Sequence, residues 1–438
     1  MSPNIRRRRL VIGFAASLAM LAPRPGRGDT VDASSTTMLI VKEQTRAGGS
    51  VTLAPLYELL SVSAREVENP VAEHLTLVFS GWLGASLGDN LVWYDLTPPQ
   101  HHVFGDLDLA YIQGEVLQRT LRLRLGRQLV TGGVTGSLQL DGADALVRLP
   151  YGFGVSAYVG SPVSQRFDSR GTDATFNPQR GTFAFGGRAY WTLPAWGEIG
   201  FSGVEILDRG DPSRRQIGAD ARVTPWRTLT LLGSAAYDLY ESRWAEATVR
   251  AQYIVNSRIL LSADYRHVEP DLFLPRDSIM AIFSFERRNE VGGSFQYGLT
   301  RTLTLLADYH YQKQVDSGEG HRFNGRATWQ PARDTSVGLE IGELAAINDN
   351  SYFHVRGFGS QRLDRFTGTL DLQEYKFNQD VNGHNNSFAA IGTLGYLIGG
   401  GWAAQASGTA EATPYYKSRF DLMVKIAYNQ SYQLREVR

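Results

Sequence analysis

The sequence predicts an all-β fold, a single large antiparallel transmembrane β-barrel of roughly 18–22 strands. Three observations predict it. The chain opens like an exported protein, it has no apolar stretch long enough to cross a bilayer as a helix, and it repeats long alternating strands joined by turns of two kinds.

The N-terminus comes first. Arg6–Arg9 form a basic cluster, Leu10–Ala22 an apolar run with small residues, and a Pro/Gly-containing stretch then reaches Asp29. This is the order of a cleaved secretory signal, and the apolar run is too short for a membrane-spanning helix. Cleavage after Ala22 and cleavage after Gly28 both fit. Removing residues 1–28 takes away six arginines and no acid, leaving 38 basic residues against 44 acidic ones. A mature chain of that charge does not suit nucleic acid. With no cysteine in the chain, disulfides, thiolate-bound metals and a lipidated N-terminal Cys are excluded.

The strands come next. Ile217, Ala219, Ala221 and Val223 alternate with Gln216, Gly218, Asp220 and Arg222. Ala245, Ala247, Val249, Ala251 and Tyr253 alternate in the same way with Glu246, Thr248, Arg250 and Gln252. Period 2 sends each set to one face. Small and apolar residues with Tyr and Trp near strand ends suit a lipid face, and mixed full charges suit a watery lumen. Residues 38–65 read either as two strands or as a lead-in. Residues 277–286 read as a strand that upsets the parity or as part of a loop.

The turns also fall into two sets. Pro225–Trp226, Asn256–Ser257, Pro331–Ala332, Leu193–Pro194 and Gly399–Gly401 are tight. Ser86–His102, Ser161–Arg180, Val268–Arg288 and Lys376–Asn386 are longer and polar. Short turns on one rim and long loops on the other correspond to periplasm and exterior. Arg-Thr-Leu-x-Leu opens strands at Arg119, Arg227 and Arg301, which places Arg at the interface and Leu against lipid. The expected organisation is a signal over 1–28, a periplasmic lead-in over 29–50, the barrel over 51–429 and a tail over 430–438.

One stretch carries a resemblance. Arg119-Thr-Leu-Arg-Leu-Arg-Leu-Gly-Arg-Gln128, then Gly132–Gly133, then Leu140-Asp-Gly-Ala143 resemble a strand pair of the alginate-export-type porins, within residues 119–160. The resemblance implies a barrel of about 18 strands, an arginine-rich lumen and passage of an anionic polysaccharide. The chain departs from it in its many lumenal acids and in the tail that follows Tyr428.

Alternation places Arg122, Arg124, Asp144, Arg148, Arg188, Arg222, Arg250, Arg266 and Arg326 on the lumenal face. Arg127 breaks the parity, and a bulge at Gly126 would bring it inward to form a basic ladder with Arg122 and Arg124. Such charges either set ion selectivity or pair across strands and satisfy one another. The loop 161–180, with Arg166, Asp168, Arg170 and Arg180, is the candidate constriction. No catalytic constellation, metal site or cofactor motif stands out, so no enzyme is expected. The expected function is an outer-membrane channel passing hydrophilic solutes, a saccharide or exported polysaccharide included. Its partners would be membrane lipid, the solute and a periplasmic export partner. The alternative is a plugged barrel anchoring a periplasmic or surface complex.

Overall fold

The structure, a computed structural model, describes residues 30–433 apart from 47–48, 68–71, 73, 88–102, 164–180, 209, 274–285, 316, 347–350 and 415. The signal at 1–28 and the segment 277–285 therefore lie outside the described residues.

Twenty-three strand segments form one sheet. The first, β1 (Thr30–Arg46), turns back into β2 (Gly49–Leu53) and β3 (Pro55–Val67). These two are halves of one stave broken at Ala54, since both pair with β1 in continuous register. The barrel thus has 22 staves. The last segment, β23 (Tyr416–Gln433), pairs antiparallel with β1 from Thr30↔Gln433 to Lys42↔Asp421 and closes the ring. Closure leaves no free edge, the condition under which strands can live in lipid.

Three expectations change here. The 18 strands that the resemblance implies become 22. Residues 30–46, expected as a periplasmic lead-in, are a full stave of the wall, and the tail expected over 430–438 begins with four residues of β23. The reason is composition. Ala33, Ser35 and Thr37 occupy the outward register opposite Gln430, Tyr428 and Ile426, so alternation is present but its apolar contrast is weak.

The two rims differ as the turns predict. On one rim β11 (Asp211–Trp226), β13 (Arg243–Asn256), β15 (Arg288–Gly298), β17 (Gly318–Ala332) and β19 (Tyr352–Leu363) pass through tight connections into β12 (Leu229–Asp238), β14 (Ile259–Val268), β16 (Leu303–Gln314), β18 (Thr335–Ala346) and β20 (Phe366–Val381). Side chains shape these turns locally. The Asn256 Oδ1 accepts bonds from the amides of Arg258 (2.8 Å) and Ile259 (3.1 Å), and the Thr300 Oγ1 from those of Thr302 (3.2 Å) and Leu303 (3.0 Å). At Gly399–Gly401 three successive positive φ angles of 105°, 60° and 86° demand glycine. On the opposite rim Lys376–Asn386 is not the long loop expected. β20 and β21 (His384–Gly399) pair up to Lys376↔Asn386 and again at Val381↔His384, which leaves a bulged hairpin tip.

Outward aromatics mark the short-turn rim. Phe153 stacks on Trp191 (5.3 Å between centroids), Phe366 meets Tyr396 (4.7 Å) and Trp402 meets Tyr428 (4.7 Å). Trp226, Tyr253 and Trp329 continue the belt in exposed positions. Such a belt sits where hydrocarbon gives way to headgroups. Away from this belt the outer face is apolar and exposed, with Val249 57 % accessible.

The face assignment can be tested by charge. Val249→Arg on the outer face is expected to cost about 2–4 kcal/mol, while Thr248→Arg on the inner face costs under about 1 kcal/mol. Urea unfolding in phospholipid vesicles measures both. Equal penalties would reverse the assignment.

Candidate functional site

The lumenal wall is a set of charged side chains two residues apart on each stave. On β6 (Leu121–Thr131), Arg122 and Arg124 both face Asp144 of β7 (Ser137–Arg148), at 3.5 and 3.2 Å. Asp144 is buried, so two guanidiniums share one carboxylate. Arg148 bonds Glu115 (3.4 Å) and the Arg119 carbonyl (2.6 Å). On β9 (Thr182–Leu193), Arg188 bonds Glu198 (2.7 Å) and Asp220 (3.0 Å) and lies over the Tyr190 ring. Arg326 bonds Glu340 (2.7 Å), whose other oxygen meets His354 at 3.4 Å. These predicted arginines are therefore ion-paired across the wall, the second of the two readings open from sequence.

Three predicted arginines are different. Arg222, Arg250 and Arg266 are exposed in the lumen and, among the described residues, have no ion pair. Register sets the first two at one level, since Arg222 opposes Leu232 and Leu232 opposes Arg250. Arg250 opposes Asp264, but that carboxylate lies 3.2 Å from His310 instead. The unpaired members of the predicted arginine set thus gather on β11, β13 and β14.

Arg127 departs from the expected ladder. Gly126 has φ 120°, yet neither neighbouring ladder shifts register there, so it forms no bulge. Arg127 grips Asp141 with two bonds of 2.7 Å and donates to the Leu107 carbonyl at 2.9 Å. The cause lies in β5 (Val103–Val116). Its pairing with β6 stops at Ala110↔Arg127, and the upper half of β5 pairs only with β4 (His74–Ser86). Arg127, together with the Gln139 amide that donates to the Asp108 carbonyl, bridges this gap in the wall. It does not stand in line with Arg122 and Arg124.

Of the candidate constriction at 161–180, residues 164–180, with Arg166, Asp168, Arg170 and Arg180, lie outside the described residues, and Ser161 and Pro162 end a wall strand. A different connection folds into the lumen. Residues Gly133–Thr135, between β6 and β7, form a single 3-10 turn that reaches past β8 (Phe153–Pro162) and β9 to the inner faces of β10 (Gly197–Asp208) and β11. The Val134 amide donates to the Ser202 hydroxyl (2.9 Å), and the Val134 carbonyl accepts from Arg214 (2.6 Å). Val134 packs with Val130, Leu140, Tyr158, Val204 and Ala236, an apolar cluster formed inside the barrel. Two glycines make room for it. A Cβ on Gly133 would come within 2.1 Å of the Ser202 hydroxyl, and one on Gly218 within 2.4 Å of the Val134 side chain.

A second segment, Pro270–Phe273, comes from the same rim. Leu272 packs against the cluster, and its carbonyl accepts from buried Gln216 (3.4 Å), which also bonds buried Asp238 (3.4 Å). Sequence reasoning missed Ser202, Arg214, Gln216 and Asp238 as a group. The available signal was three glycines in five residues at Gly132–Gly136, which an ordinary hairpin turn does not need.

Two changes test these assignments. Asp144→Ala leaves Arg122 and Arg124 without their shared carboxylate, and is expected to raise anion over cation permeability measurably in a salt gradient. Gly133→Val and Arg214→Ala are each expected to release the inward turn and raise single-channel conductance over wild type. An unchanged conductance in both would mean that the turn does not limit the path.

No family model matches the chain, and no curated protein matches it. Among solved structures it is similar to OccAB4 of Acinetobacter baumannii, at 10 % identity and a TM-score of 0.47 over 94 % of this chain and 100 % of that one. It is also similar to OccK8 (OprE) of Pseudomonas aeruginosa, at 10 % identity and 0.44 over 92 % and 98 %. The outer membrane protein opdK of the same organism stands at 10 % and 0.45 over 92 % and 99 %. These three are Occ and Opd proteins, and the alginate-export resemblance gains no support from them.

Proposed function

We propose that the chain is an outer-membrane channel for hydrophilic solutes, with a preference for anions along the β11–β14 wall. The observation that carries this reading is the combination of a closed 22-stave ring with a water-accessible charged lumen in which Arg222, Arg250 and Arg266 are bare. Lumenal charges that neutralise one another leave little net field, so the uncompensated ones decide which ions gather. Paired residues such as Arg188 and Asp220 keep the wall wet and rigid without selecting sign.

The plugged-barrel alternative needs the lumen filled by loops or by residues 29–60. β1, β2 and β3 belong to the wall, which removes the second of these fillings. The inward turn at Gly133–Thr135 lies against one side, which suits a narrowed path rather than a sealed one. A saccharide or an exported anionic polysaccharide fits the same arginines as a solute class.

The purified barrel in a planar bilayer tests the proposal. Steady conductance with anion preference is expected, and Arg222→Gln/Arg250→Gln/Arg266→Gln is expected to bring the permeability ratio close to unity. A folded barrel that passes no current would overturn the channel. An unchanged ratio in the triple variant would overturn the role of the bare arginines. Current block by an anionic oligosaccharide, absent with a neutral one of equal length, would assign the solute class.

A further inference from the structure

The short-turn rim carries a second set of arginines that the lumen does not use. Five consecutive connections, from β11 to β20, each hold one: Arg227, Arg258, Arg301, Arg333 and Arg365. All five are exposed, and among the described residues none of their side chains has a hydrogen bond or an ion pair. Only Asp334 and Asp364 share these turns, so the arc is basic although the whole chain is formally neutral.

Their height is fixed by the aromatic belt. Arg227 follows Trp226 directly, and Arg365 directly precedes Phe366. Arg301 and Arg333 stand a few residues beyond Tyr297 and Trp329, and Arg258 a few beyond Tyr253. By strand register these aromatics face outward. The aromatics lie at the edge of the hydrocarbon, so the guanidiniums stand at headgroup level. Unpaired arginines on tight, hydrogen-bonded turns are held in place with their donors free.

We propose that this arc binds the phosphodiester headgroups of anionic glycerophospholipids in the leaflet that borders the short turns. A guanidinium matches two phosphate oxygens with two parallel N–H donors. Five such groups along half a rim are spread too widely for one small anion and suit a row of lipids. An acidic protein would dock on the same charge, but it would have no reason to need each arginine beside an outward aromatic.

The test uses the purified barrel in mixed micelles of phosphatidylglycerol and phosphatidylcholine at equal amounts, with retained lipid counted by native mass spectrometry. Wild type is expected to retain phosphatidylglycerol over phosphatidylcholine by about fivefold for each arginine engaged. The variant with all five changed to Gln is expected to lose that preference. The pairs Arg227→Gln/Arg258→Gln and Arg333→Gln/Arg365→Gln are expected to lose it in part, and they serve if the fivefold variant does not fold. Heat-modified gel mobility verifies folding in each case. No preference in wild type, or an undiminished preference in folded variants, would overturn the proposal. So would retention of an acidic periplasmic protein by the wild-type arc with no lipid preference.

Discussion

The whole structure depends on backbone closure between its first and last strands. Thirteen residues of β1, Thr30 to Lys42, pair with thirteen of β23. In lipid an unpaired amide or carbonyl has no water to turn to, so an open edge of this length would be prohibitive. Once the ring is shut, the remaining features follow with little freedom. Alternation assigns one face to lipid and one to water, the even number of staves returns both ends to the same rim, and each connection belongs to one rim or the other. The seam is closed by a strand of Ser, Thr and Ala as much as by apolar residues, because hydrogen bonding rather than side-chain burial makes it hold.

Inside this frame the lumen separates into regions of different chemistry. From β6 to β11 the wall is built up by the inward turn, and its apolar cluster is the nearest thing the barrel has to a soluble core. From β14 to β20 the wall is a belt of cross-strand pairs, with His310 near Asp264, Arg322 on Glu290 and Arg356 on Asp371. The bare arginines stand where these regions meet. Buried and paired charge stiffens the wall, and unpaired charge stays exposed to the water of the lumen.

Much of the fold was legible in the sequence, because period 2 over β11, β13 and β17 is nearly perfect and the turns fall into two kinds. The contrast failed at β1, where Ser and Thr on the outer face reduced the signal. Alternation also found the lumenal arginines, but not which were free. That depends on partners on neighbouring strands, as Arg124 and Asp144 show, and register across a hairpin is not written in either strand alone. Arg127 shows the same limit from the other side. Its parity was odd for a physical reason, a break in the β5–β6 ladder that no local pattern announces.

That break has a mechanical consequence. Among the described residues most neighbouring staves are fastened by rows of backbone bonds, but the β5–β6 ladder stops at Ala110↔Arg127, and above it the fastening of β5 on that side is by side chains from Arg127 and Gln139. Two long side chains can rotate away at far less cost than a ladder can unzip. Under lateral strain this slit is where the cylinder would part first.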